Sequence, residues 1–125
     1  MQRLKIAAMA AAMILAAAAP ASAFSMRKAL QAVENLGQWS VMAQHCGALD
    51  SANNIRESIL TTIRDAGISP RQRQKLTKEL QYWVKTINRN FSSGGLNVVT
   101  ACPIWQDSGR QGVQKELAKL HKQLG

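Results

Sequence analysis

Cys46 and Cys102 are the two thiols of the 125-residue chain, and their spacing limits what they can do. No C-x-x-C occurs, so a dithiol redox motif has no basis, and no C-x-x-C-H occurs, so covalent haem attachment is excluded. His45 precedes Cys46. Adjacent residues on a helix point about 100° apart, which argues against a Cys–His nucleophile pair, whose side chains must meet. A structural zinc site needs four ligands, and the chain holds two cysteines and two histidines in no paired spacing. What remains is the bond between the two thiols. A Cys46–Cys102 disulfide closes a long loop, and the chain-entropy model values such a loop at about 4 kcal/mol.

The acids offer little hydrolytic chemistry. Glu34, Asp50, Glu57, Asp65, Glu79, Asp107 and Glu116 form no D-x-D and no E-x-x-H pattern. No G-x-S-x-G, no H-E-x-x-H and no phosphate-cradling glycine loop is present. Gly94-Gly95 follows a helical segment and reads as a terminator. The expectation is a protein that is not an enzyme and carries neither cofactor nor metal.

The basic residues are arranged more informatively. Arg71, Lys75, Lys78, Tyr82, Lys85 and Arg89 are spaced 4, 3, 4, 3 and 4. On a helix they fall within about 40° of one line and form a ridge about 27 Å long. Glu79 is the one acid within that span and projects to one side. A solvated helix face ordinarily mixes signs, with acid–base pairs at i,i+4. One-sided charge instead marks Arg71, Lys75, Lys78, Tyr82, Lys85 and Arg89 as a partner-binding face. A smaller cationic set, Lys115, Lys119 and Lys122, lies near the C-terminal end.

The N-terminal segment says where such a face would operate. Arg3 and Lys5 precede an apolar run from Ile6 to Ala19, followed by the small-residue site Ala21-Ser22-Ala23. That order is a secretory signal peptide, residues 1–23, cleaved near Ala23. The apolar run spans about 21 Å, short of the ~30 Å hydrocarbon core a membrane anchor must cross. Its alanine-rich character points to a bacterial protein of the periplasm or exterior, and no transmembrane segment is expected in the mature chain. Disulfides form and persist in that compartment. The full chain has 16 Lys+Arg against 7 Asp+Glu. The leader holds two of these cations and no acid, so residues 24–125 keep a net charge of +7. A basic surface attracts anions. The expected partners are an anionic protein, a cell-wall polymer or a membrane surface, with nucleic acid ranked last because the chain is exported.

The elements that must position these residues read as helices. Ser25 caps a first helix from Met26, with Met26, Leu30, Val33, Leu36, Ala43 and Cys46 at nearly helical period. Gly37 predicts a kink or a close packing contact, Trp39 lies near the core stripe, and Gly47 is a stop. Asp50 or Ser51 starts a second helix with Ile55, Ile59, Ile63 and Ala66, closed by a left-handed Gly67. Ser69-Pro70-Arg71-Gln72 is a capping box with proline at the first helical position. The helix that follows runs to about Phe91, with Leu76, Leu80, Trp83, Val84, Ile87 and Phe91 inward. Leu96–Trp105 reads as a short helix or buried connector in which Pro103 pushes Cys102 toward an extended backbone. Asp107 or Ser108 opens a final helix carrying Val113, Leu117, Leu120 and Leu124.

The fold expected is a single all-α domain, residues 24–125, with four main helices in an orthogonal or bundle-like packing and one disulfide. The general plan of export signal, small helical body and long-range cysteine pair resembles that of periplasmic acid-stress chaperones and of small immunity proteins that neutralise exported toxins. No sequence motif of either carries over, and the chain is assigned to neither. The leading expectation is an exported, non-enzymatic protein that binds an anionic partner through its basic helical face.

Overall fold

In the computed structural model, which describes residues 24–125, four long helices and one short one follow the hydrophobic periodicity. They are α1 (Met26–His45), α2 (Leu49–Asp65), α3 (Pro70–Ser93), α4 (Val98–Ile104) and α5 (Arg110–Leu124). A π-helical turn, Trp105–Gly109, joins the last two without a break. The signal-peptide reading falls on residues 1–23, outside the described residues.

Helix α1 is the central element, packed against α2, α3 and α5. Its inward residues are small as well as apolar: Ala29, Ala32, Gly37 and Ala43 are buried alongside Val33, Leu36 and Val41. Small side chains let three helices approach one. Met26 and Leu30, read as part of the stripe, are half-buried at its edge. Ile55, Ile59 and Ile63 from α2, Leu76 and Leu80 from α3, and Val113, Leu120 and Leu124 from α5 complete the core. Gly37 marks a close contact, not a kink. A Cβ built there would lie 3.2 Å from Trp83 Cβ and 3.5 Å from Leu80 Cδ1, so α3 crosses α1 at this point.

The helix ends separate good local signals from misleading ones. Ser25 accepts a hydrogen bond from the Lys28 amide at 3.2 Å, and Cys46 caps the far end of α1 before a left-handed Gly47. The α3 capping box forms in both directions, Gln72 N to Ser69 Oγ at 3.1 Å and Ser69 N to Gln72 Oε1 at 2.9 Å. The start of α2 differs from expectation. Its N-cap is Ala48, with no side-chain hydrogen bond, and Asp50 and Ser51 lie inside the first turn. Its end differs too, because Gly67 is not left-handed and the chain leaves the helix through an extended Ala66. Arg73 takes over the capping. Its Nε donates to the Ile63 carbonyl at 3.3 Å, and its Nη2 donates to the Ala66 and Ile68 carbonyls at 3.0 and 3.1 Å. A guanidinium carries enough donors to satisfy a helix end that no glycine closes.

The largest departures lie between residues 96 and 109. Cys102 is helical despite preceding Pro103, and α4 is exposed apart from buried Ala101 and half-buried Cys102. It is a helix but not a buried connector. Asp107 and Ser108 cap nothing, since they sit within the π-helical turn. The disulfide Cys46–Cys102, Cα–Cα 5.4 Å, ties α4 to the end of α1. It anchors the segment that apolar burial does not.

Candidate anion-binding face

The capping box sets the start and rotational phase of α3, and burial of Leu76, Leu80 and Ile87 fixes which side faces α1. All six residues of the ridge therefore face water: Arg71, Lys75, Lys78, Tyr82, Lys85 and Arg89 are exposed. They stand together along one side, as their spacing predicts.

Their charge is not neutralised locally. Among the described residues, the ion pairs are Arg64–Asp65 at 3.1 Å and Lys119–Glu116 at 3.5 Å, and neither involves the ridge. Glu79, the acid within the ridge's span, lines a groove between α1 and α3 with Lys75 but forms no ion pair with it among the described residues. Its carboxylate accepts the Trp83 indole N–H at 2.7 Å. Trp83 in turn meets Tyr82 edge-on, with ring centroids 5.1 Å apart and planes at 86°. This contact supports Tyr82 from the side while 59% of the residue stays exposed.

Packing extends the cationic surface beyond α3. The groove between α1 and α3, of about 410 Å³, is bordered by Arg27 and Lys75 and equally by Glu34 and Glu79. A second, about 580 Å³, lies between α1 and α5 and is bordered by Arg27, Lys28, Lys119 and Lys122. Arg27 belongs to both. Cations from three helices thus form a belt across one end of the bundle. The sequence reading did not assign Arg27 or Lys28 to the face, because no local pattern says that the start of α1 lies between α3 and α5. One signal was available. Arg27 and Lys28 occupy the first turn of α1, where the helix dipole disfavours each cation by about 0.3–1 kcal/mol. Arg71 occupies the first turn of α3 in the same way. Local stability does not account for these placements.

Three acids interrupt the belt: Glu34 and Glu79 line the α1–α3 groove beside Arg27 and Lys75, and Glu116 lines the α1–α5 groove. Glu116 is 8% exposed, its Oε2 meets Lys119 Nζ, and its Oε1 has no hydrogen-bond partner.

Comparison of the chain with protein-family models, curated proteins and solved structures returns no match. The geometry alone therefore carries the functional reading. His45 stacks on Phe91, centroids 4.2 Å apart, and a ring nitrogen pairs with Asn88 Oδ1 at 2.8 Å, which ties α1 to α3. No three of His, Cys, Asp and Glu come together as metal ligands among the described residues. No described helix is long and apolar enough to cross a membrane. Arg56, half-buried between α1 and α2, donates to Ser40 Oγ at 3.1 Å and to Gln44 Oε1 at 2.6 Å. Burial lowers its pKa from the ordinary arginine value. It is a helix–helix cross-brace and does not belong to the face.

Proposed function

We propose that this is an exported, non-enzymatic bacterial protein of the periplasm or exterior that binds an anionic partner through the α3 ridge. The observation that carries the reading is the ridge itself, five exposed cations and a tyrosine with no acid spent on neutralising them. The cations bordering the α1 grooves extend the attraction around one end of the bundle. Acidic protein surfaces, anionic cell-wall polymers and anionic lipid headgroups share the chemistry this face would recognise. Export follows from the signal-like residues 1–23 and fits the disulfide.

The test is a double charge reversal, Lys78→Glu with Lys85→Glu. Both residues are exposed, and surface substitutions usually shift stability within about 0.5 kcal/mol each. Sedimentation with anionic and with neutral vesicles, and retention on an acidic polypeptide and on a cell-wall polymer, identify the source of the anion. Binding should be strong at low salt and collapse toward 1 M, where the Debye length falls to about 3 Å. The variant should lose binding while its melting temperature holds. Unchanged binding in the variant would reduce the ridge to a solvated face. Apolar dye binding that appears only below the carboxylate range, about pH 4, would favour an acid-activated chaperone instead. Tight capture of a single secreted toxin would favour an immunity protein.

A further inference from the structure

A second groove, apart from the basic face, carries a different chemistry. It holds about 870 Å³ between α2 and the π-helical turn with α5, within the ~300–1,000 Å³ of small-ligand sites. Trp105 and Ile55 are among its apolar lining. The polar lining includes four side-chain amides: Asn54 from α2, and Gln106, Gln111 and Gln114 from the turn and α5. Asp107 and Arg110 contribute one charge of each sign. In a chain of net charge +9 this groove is locally balanced.

The π-helical turn builds the site. It adds a residue to one turn and so changes which side chains share a face, and such turns recur at functional sites. Gly109 is required here. A Cβ at that position would overlap the Trp105 ring, with Cδ2 only 2.7 Å away, so the indole lies flat over the glycine. Trp39 braces it from behind, ring centroids 6.1 Å apart at 53°. The indole is thus held by packing, half-buried, and lines the groove.

We infer that this groove binds a neutral saccharide of hexose or N-acetylhexosamine units. A pyranose presents a flat C–H face, which lies on an indole, and a rim of hydroxyl or acetamido groups, which pair with amides and with an Asp or Arg. A packed indole and four side-chain amides lining one groove offer both halves of that recognition. A locally balanced charge suits a neutral ligand and disfavours the polyanions expected on α3.

The experiment titrates the folded protein, followed by amide and indole NMR shifts, with the tetramer of N-acetylglucosamine and with maltotetraose. Saturable shifts at the Trp105 indole and the Gln106, Gln111 and Gln114 side-chain amides are expected from at least one sugar. They should be unchanged by salt, which separates this site from the α3 face. Gln111→Ala with Asp107→Ala removes exposed groups only. It should weaken binding about tenfold or more, as expected for losing about 1.4 kcal/mol, at an unchanged melting temperature. Trp105→Ala should abolish binding, and its fold is checked by the remaining spectrum. No saturable shift from either sugar, shifts mapping to α3, or full affinity in the Gln111/Asp107 variant would each overturn the assignment. The anion-binding test of the α3 ridge is read separately, with vesicles and acidic polymers.

Discussion

The indole of Trp39 lies against the backbone at Gly112, where an added Cβ would come within 2.5 Å of Cζ2 and 2.8 Å of Nε1. Helix α5 can therefore reach α1 only because residue 112 has no side chain. Gly112→Ala exchanges a favourable helix propensity, about 1 kcal/mol, for overpacking, which costs about 1–3 kcal/mol. The rigid indole, already braced on Trp105, cannot turn aside easily, so the net effect should be destabilising. Urea unfolding should show a lower midpoint. A higher one would mean that the two tryptophans repack freely.

Arg71 and Arg73 are the same residue type two positions apart, and the structure gives them opposite duties. Arg71 is exposed and engages no partner, whereas Arg73 closes the end of α2 through three carbonyls. Arg73→Ala leaves those carbonyls without their charged donor and should cost about 1–3 kcal/mol. Arg73→Lys should restore only part of that, since an ammonium is a point donor and not a planar fork. Arg71→Ala should leave the unfolding midpoint in place and weaken anion binding. Equal effects of Arg71→Ala and Arg73→Ala on stability would contradict the assignment.

Much of the fold was legible because its signals are local. The Ser69-Pro70-Arg71-Gln72 box, the Ser25 cap and the isoleucine repeat of α2 act over one or two turns, and each forms as read. Between residues 96 and 109 the short helix forms, as one of the two readings has it, but the extended Cys102 and the helix start at Asp107 or Ser108 do not, because tertiary forces override local preference there. Pro103 biases Cys102 away from the helix, yet the disulfide pins Cys102 to α1 and the Trp105–Gly109 contact carries the helix onward. Gly67 looked like a left-handed cap, but Arg73 meets the same need from another helix. The exposed ridge was legible for the same reason as the helix that bears it, since both depend on the same period. Arg27, Lys28 and the Trp105 groove were not. They arise from which helices touch, and a single periodicity carries no record of that.

The disulfide should matter more than its position near α4 suggests. Val98, Val99 and Ile104 are 45%, 81% and 47% exposed, so apolar burial does little to hold this helix. Cys46→Ser should lower global stability by about 2–5 kcal/mol. Hydrogen exchange in α4 should rise more than in α2, which the core holds independently. Free thiols titrated in the protein purified without reductant would contradict the bond outright.

Stability and binding should move in opposite directions at the start of α1. Arg27 and Lys28 stand in its first turn, where the dipole favours acids, and Lys28 occupies the third helical position after the Ser25 cap. Lys28→Glu places an acid at that position and Arg27→Glu adds a second, both favoured by the dipole. No capping-box bond adds to this, because the Ser25 N–H already donates to Gln123 Oε1 at 2.8 Å. The pair should raise stability by about 0.6–2 kcal/mol at low salt. It should relieve repulsion with Lys119 and Lys122 but bring acids toward Glu116 in the α1–α5 groove and toward Glu34 and Glu79 in the α1–α3 groove, which holds the gain to the lower end of that range. The same two changes shift the local charge by −4 at the centre of the cationic belt. If the belt extends the α3 face, affinity for an anionic vesicle or polymer must fall while the melting temperature rises. A general loss of fold cannot produce that combination, since it would lower both. Affinity that survives the double substitution would confine recognition to α3, and a lowered melting temperature would show that the two cations serve the fold.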